Sequence, residues 1–234
     1  MNQANNKRII ILDTETTGMN KTSSKIYEGH RIIEIGAVEM INRRLTGKTF
    51  HVYINPEQEI DPEAIKVHGI TNEQVANEPV FAAIQDDFIN FIKGAELVAH
   101  NASFDVSFID HEFNLNKAKT KVDQICTVTD SLAIAKKMFP SKKNNLDALC
   151  RRFEIDNSHR TLHGALLDAE ILADVYILLT GEQETLTLTP AVQTKPQNIN
   201  SKIHRTKVIK ASAEEIKKHN QVIQDISQDK NYYW

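Results

Sequence analysis

Residues 8–18 read R-I-I-I-L-D-T-E-T-T-G. Arg8–Asp13 is a short apolar run closed by a turn, the pattern of a buried strand. Asp13 and Glu15 stand two apart at its end, so period-two alternation puts both carboxylates on one face. Thr16, Thr17 and Gly18 follow as a turn whose backbone amides can face a phosphate or a sugar. Alone, the stretch is equally an ordinary strand-ending turn. Two more acids give it weight. Asp105 is followed at three, four and eight residues by Phe108, Ile109 and Phe113, which places it on the inward stripe of a helix. Asp168 is followed by Ile171, Leu172, Val175 and Tyr176 in the same way. A first-turn aspartate that favours the helix dipole accounts for the position of either acid, but not for its inward aim. A buried carboxylate is costly unless something positive meets it. The economical reading is that Asp13, Glu15, Asp105 and Asp168 converge on divalent metal ions.

A cluster of carboxylates is a hard oxygen donor set, suited to Mg²⁺ or Mn²⁺ rather than to structural zinc. Three or four acids can hold two ions about 3.5–4 Å apart, an arrangement that serves phosphodiester cleavage. His163 lies five residues before Asp168, about 140° around an ideal helix, so the two would not share a helical face. His163 is therefore expected on the loop beside Gly164, free to swing and able to take a proton from an attacking water. The bland reading of any one of the nine histidines is a surface or capping residue, and that reading is preferred for His100. Asn101 beside it can equally be a plain capping or core polar residue at the strand end, and its role stays open. No nucleophile triad and no G-x-x-x-x-G-K-[ST] loop competes with the acidic cluster.

The remainder of the 234 residues suits one substantial domain plus an appendage. The two cysteines, Cys126 and Cys150, are too far apart for a C-x-x-C site. They fit a reducing compartment, and with no signal-peptide pattern and no long apolar run the expectation is a cytoplasmic protein. A formal net charge of −3 argues against a generic polyanion binder. Any nucleic-acid substrate would be gripped over a short length or held in place by a partner.

Strands are expected at Arg8–Asp13, Arg31–Ile41, Lys48–Ile54, Glu96–Ala99 and Val122–Val128, with N-R-R-L-T-G as a hairpin connection before Lys48. Helices are expected after Asp61–Pro62, after the T-N-E-Q capping box at Thr71, over 79–93, 103–114, 130–138, 146–153 and 165–179. Strands thus form a meander first and alternate with helices later. That predicts an α/β domain over residues 1–181, a mixed five-stranded sheet flanked by helices. Residues 182–211 turn rich in Thr, Gln, Asn, Pro and Lys, with no acid from Thr185 to Lys210, and read as a flexible linker. Residues 212–234 open on a second capping box, S-A-E-E, and carry Ile216, Val222, Ile223 and Ile226 before ending in Y-Y-W at Trp234. A stripe so thin does not fold alone.

Three motifs, D-T-E-T-T-G at Asp13, H-N-A-S-F-D ending at Asp105 and H-G-A-L-L-D from His163 to Asp168, resemble those of the DEDD exonuclease superfamily. The last has the H-x-A-x-x-D form of its histidine-bearing (DEDDh) subgroup. The resemblance covers roughly residues 7–181. It implies an RNase H-like fold and a two-metal 3′→5′ exonuclease that releases nucleoside monophosphates. It also implies roles: Asp13 bridges both ions, Glu15 and Asp168 ligate the tighter one, Asp105 supports the second partly through water, and His163 is the general base.

Y-E-G-H-R-I-I-E-I-G-A-V-E at Tyr27, V-H-G-I-T at Val67 and V-T-D-S-L-A at Val128 resemble more narrowly the proofreading exonuclease subunits of bacterial DNA polymerase III. That resemblance implies that His68 and Phe104 border the substrate's 3′ nucleotide, alongside Asp13, Glu15 and Asp168. The implied partners are a single-stranded or frayed DNA 3′ end, the polymerase III alpha subunit, the sliding clamp and a small theta-like subunit. Q-E-T-L-T-L, with Gln183, Leu186 and Leu188, resembles a clamp-binding peptide; otherwise it reads as an unremarkable linker start. The tail, with Ile216, Ile223, Ile226 and Trp234, resembles a polymerase tether, a frayed end being the alternative. Rival functions are an RNA-trimming exonuclease of the same fold, a nucleotide phosphatase, and an inactive fold used only for assembly.

Overall fold

The structure is a computed structural model that describes residues 7–158, 160, 162–181 and 211–228. The chain divides into two compact units, Met1–Leu188 and Thr189–Trp234. The first contains a mixed five-stranded sheet in the order β3-β2-β1-β4-β5. Strands β1 (Arg8–Thr16), β2 (Ile32–Ile41) and β3 (Arg44–Tyr53) form the antiparallel meander, and β4 (Glu96–Ala99) and β5 (Thr127–Asp130) continue it in parallel from β1. Between β3 and β4 run α1 (Pro62–His68), α2 (Asn72–Val75) and α3 (Phe81–Ile92). Then come α4 (Ser103–Leu115) and α5 (Val122–Ile125) before β5, and α6 (Ser131–Met138), α7 (Leu146–Phe153) and α8 (Ala165–Gly181) after it. The mixed sheet flanked by helices is thus as expected.

β1 is the central strand, which is why its apolar run has no polar face. Ile10 and Leu12 pack with Phe81 and Phe88 of α3 and Phe108 and Phe113 of α4. Ile11 packs on the opposite face with Ala169 and Leu172 of α8 and Leu149 of α7. Each such fully buried side chain contributes roughly 1.5–3 kcal/mol. The alternation of β1 therefore sorts its residues: even numbers face α3 and α4, odd numbers face α8.

Several expected boundaries move. β1, expected over Arg8–Asp13 with Thr16 in the turn, runs on to Thr16. The hairpin after β2 is not the six residues N-R-R-L-T-G. Asn42 and Arg43 both take positive φ, 52° and 61°, the two-residue turn that matches strand twist, and β3 resumes at Arg44. Val122–Val128, expected as a strand, splits. Val122–Ile125 is a helical turn capped by Lys121 and Gln124, and β5 begins at Thr127, opposite Glu96. Val122, Ile125 and Cys126 are spaced three and four apart, a helical period within a stretch too short for periodicity to decide.

Both capping boxes form. Thr71 N–H donates to Gln74 Oε1 at 2.7 Å, and Ser212 N–H donates to Glu215 Oε2 at 2.8 Å. The second opens α9 (Ala213–Gln228) in the other unit, where Ile216, Val222 and Ile223 are each about half exposed. The side chain of Ile226, and the residues Gln183, Leu186, Leu188 and Trp234, lie outside the described residues, as does the expected linker over 182–210. Among the described residues no helix is long and apolar enough to cross a membrane.

Candidate active site

Asp13 and Glu15 project from β1 toward α8, as their odd positions require. Opposite them in register on β2 are Gly36 and Glu34. Gly36 lets α8 approach: a Cβ there would lie 2.1 Å from the backbone nitrogen of Leu166. Glu34 accepts from the backbone N–H of Ala165 at 3.0 Å, capping the start of α8, and its other oxygen meets His51 Nε2 at 2.8 Å. The helix seated in this way carries Asp168, 3% exposed, to the odd face of β1.

Asp105 arrives from the other side. It is 2% exposed in the first turn of α4, and α4 packs on the even face. There it meets Thr14, whose hydroxyl donates to Asp105 Oδ1 at 2.8 Å. The two faces of the sheet come together only where β1 ends, at a bulge between Glu15 and Thr16. One cleft at that end is lined by Asp13, Glu15, Asp105, Asp147, Arg160, His163 and Asp168. An adjoining cleft shares Thr14, Glu15 and Phe104 with it and adds Met19, Val67 and His68. All five expected chemistry-bearing residues therefore share the first cleft. His68 and Phe104 border the second. Phe104 lies between the two.

The acids repel one another. Burial, then Asp105, Glu15 and Asp168, push the Asp13 carboxyl well above its ordinary value. Burial, then Asp168 and Glu34, push Glu15 up to about 8. Burial pushes Asp105 up to about 7 despite the Thr14 hydrogen bond. Asp168 differs. Burial opposes its ionisation, but hydrogen bonds from Arg160 and His163 outweigh this and hold it below the usual range. Arg160 Nη2 donates to Asp168 Oδ2 at 2.6 Å, and Arg160 Nε donates to Oδ1.

His163 lies on the loop before α8, as expected, and its side chain is 46% exposed. The backbone of its loop is anchored at two points. The His163 N–H donates to the Val67 carbonyl at 3.2 Å, and Leu162 lies over Gly69, where a Cβ would come within 2.5 Å of its Cδ1. The ring Nδ1 stands 3.4 Å from Asp168 Oδ2 and 2.9 Å from Arg160 Nη2. His100, for which the bland reading was preferred, has its Nδ1 2.9 Å from Ser131 Oγ at the cleft's edge. Asn101 takes a left-handed φ of 70°, which asparagine tolerates.

Burial of an acid does not by itself mark the site. Glu34, Glu39, Glu96 and Glu112 are also buried within apolar stretches. Each has a dedicated partner: His51 for Glu34, Arg8 for Glu39 at 2.5 Å, Lys7 for Glu96 at 2.8 Å and Arg31 for Glu112. Asp13 and Glu15 have only the shared offset of Arg160. What distinguishes Asp13 and Glu15 among the described residues is thus that no cation pairs with either one directly, while three further acids raise each. Sequence reasoning missed Thr14, Glu34, Asp147 and Arg160. Glu34 carried the same signal as the four acids, a carboxylate within an apolar run; nothing local marks Arg160.

The residues fit divalent metal. Among the described residues, Glu15, His163 and Asp168 bring one ligand atom each to within 4.8 Å of one another. Oxygen-rich sets of this kind suit hard divalent cations, and such an ion would relieve the repulsion that raises Asp13 and Glu15.

Known proteins agree with this chemistry. The family model described as Exonuclease (RNase_T) matches residues 10–176. The chain belongs to this exonuclease family. Within it, the DNA polymerase III subunit epsilon of Salmonella typhimurium (strain LT2) is 56% identical over 220 residues, 91% of this chain and 90% of the relative. That of Escherichia coli (strain K12) is 54% identical over the same shares. The family membership thus extends to the epsilon subunits, as the narrower motifs implied. The fold is shared with the nuclease domain of 3′hExo, a DEDDh family member bound to rAMP. That domain is 18% identical with a TM-score of 0.62, over 76% of this chain and 94% of the other. The family typically uses divalent metals.

Proposed function

We propose that this chain is the proofreading 3′→5′ exonuclease of the replicative DNA polymerase III, removing mismatched 3′-terminal nucleotides as deoxynucleoside monophosphates. One observation carries the reading. In a chain so similar to epsilon subunits, Asp13, Glu15, Asp105, His163 and Asp168 meet in one cleft although they come from β1, α4 and the start of α8.

Asp13, Glu15 and Asp168 would hold two divalent ions, Mg²⁺ or Mn²⁺, with Asp105 the more peripheral ligand. Bound ions would supply charge stabilisation to the attacking and leaving oxygens of the phosphodiester. Thr14 fixes Asp105, and Glu34 fixes the start of α8 and hence Asp168. Phe104, at the boundary of the two clefts, offers a ring face to the terminal base. His68 borders the same space. His163, half exposed beside the acids, takes the proton from the attacking water on an imidazole nitrogen. A mismatched terminus frays more readily than a paired one, so a cleft that accepts only an unpaired end selects errors.

The exonuclease domain is residues 1–181, 182–211 are the linker, and 212–234 hold the polymerase alpha subunit through Ile216, Ile223, Ile226 and Trp234. Gln183, Leu186 and Leu188 engage the sliding clamp, and a small theta-like subunit is a further partner. Tethering raises the effective concentration of a nuclease whose own charge of −3 gives it little grip on DNA. The complex works in the cytoplasm.

Asp13→Ala tests the metal reading. It should abolish Mg²⁺-dependent digestion of single-stranded DNA and leave the circular-dichroism spectrum unchanged; undiminished digestion would sink the assignment. Truncation after Gly181 should keep the nuclease and lose co-purification with the polymerase subunit. Tight binding by the truncated form would refute the tether.

A further inference from the structure

Asp168 and His163 are two of the three groups whose ligand atoms converge, and one guanidinium engages both. Arg160 Nε and Nη2 take the two oxygens of Asp168, and Nη2 also faces His163 Nδ1 at 2.9 Å. Its Nη1 donates to Asp147 Oδ1 at 2.7 Å, on α7. The Arg160 side chain is only 8% exposed, and its charge offsets Asp13 and Glu15 as well. A planar fork matched to a carboxylate in a near-buried place is a strong interaction, and lysine does not reproduce it.

We propose that Arg160 is a built-in counter-cation that competes with divalent metal for Asp168 and so sets the metal affinity of the cleft. The inference rests on the reading that Asp168 is a metal ligand. Without metal, Arg160 supplies positive charge to a crowd of acids that would otherwise force the loop and α8 away from β1. A metal that takes the Asp168 lone pair now facing Arg160 displaces that arm of the fork, and a metal on the other lone pair still has to share the carboxylate's charge with the guanidinium. Asp147 provides the alternative: Arg160 keeps that bond on α7 while releasing Asp168. Linkage makes the effect reciprocal, since whatever Arg160 contributes to the metal-free state is subtracted from metal binding. Arg160 is thereby also a positioning residue for His163, whose ring it faces with Nη2 at 2.9 Å from Nδ1.

The test uses full-length wild-type, Arg160→Gln and Arg160→Lys proteins. Mn²⁺ dissociation constants are read from the electron paramagnetic resonance of free Mn²⁺, and melting temperatures are taken in EDTA and in Mn²⁺. Arg160→Gln should melt lower than wild type in EDTA, gain more from Mn²⁺, and bind Mn²⁺ about tenfold more tightly, the scale of one charge-assisted hydrogen bond. Arg160→Lys, which keeps charge without the fork, should fall between the two. It also supplies the affinity comparison if the glutamine variant does not fold in EDTA. Mn²⁺ binding equal to or weaker than wild type in the folded variants would overturn the inference. Absence of Mn²⁺ binding by the wild-type protein would overturn the metal reading and this inference with it.

Discussion

The Thr14 hydroxyl donates to Asp105 Oδ1 at 2.8 Å and so ties the end of β1 to the first turn of α4. It is the bond by which an acid on the even face of the sheet is held against a site built on the odd face. The bond also lowers the Asp105 carboxyl, which burial drives up to about 7. Thr14→Val keeps the shape and removes the donor. It should cost about 1–2 kcal/mol of stability and move the acidic limb of the exonuclease pH profile to higher pH. An unmoved profile would show that Asp105 does not need Thr14.

Gly36 is where α8 lies directly on β2. The atoms that a Cβ would strike belong to the backbone of Ala165 and Leu166, so no side chain can turn aside. Gly36→Ala should destabilise the domain by about 3 kcal/mol or more and should lower nuclease activity more than unfolding alone accounts for, because α8 carries Asp168. Denaturant melts paired with activity per folded molecule would check this.

Arg31 and Glu112 form a nearly buried pair, at 2.7 Å and 2.9 Å, and Glu112 also accepts from the Ile32 N–H at 3.2 Å. The pair locks α4 to β2. Arg31→Met would strand the carboxylate and should cost about 3–5 kcal/mol, much of it recovered in the double variant with Glu112→Leu. Urea denaturation of the three proteins decides it; a double variant as weak as the single one would contradict the account.

The pH dependence of the metal-free protein has a definite sign. Glu15 is raised from 4.5 to about 8 and Asp105 from 3.8 to about 7. An acid with a raised folded pKa contributes stability that is full below its unfolded value and lost as pH rises through the folded one. Asp168, held below 3.8, acts oppositely, and its contribution is lost only as pH falls below that value. In EDTA the melting temperature should therefore fall from about pH 5 to about pH 8, with each pKa unit worth roughly 1.4 kcal/mol. Mn²⁺ favours the ionised acids, so the stabilisation it brings should grow over the same window. An EDTA curve that is flat or rising there would contradict the raised acids.

Much of this was legible beforehand. α7 occupies the expected residues 146–153 and β4 the expected residues 96–99. The positions of Asp105 and Asp168 on inward stripes hold, because helical periodicity is a local property. Where expectations failed, the deciding interaction was distant or the segment too short. Val122–Ile125 turned helical because four residues carry almost no period and because Asp110, twelve residues away, accepts from the Val122 N–H. The tether on His163 came from Val67, which no local pattern connects to it.

The sequence by itself determined the central strand, the acids aimed inward and the three motifs, since alternation and helical period are written in neighbouring residues. Only the tertiary structure decided which of these inward-aimed acids lack a partner of their own. Glu112 and Asp105 look alike along the chain, yet one faces Arg31 and the other meets a threonine hydroxyl. Charge balance is a sum over groups that folding brings together, and Arg160, the cation that offsets Asp13, Glu15 and Asp168, reaches them only once α8 lies against Gly36.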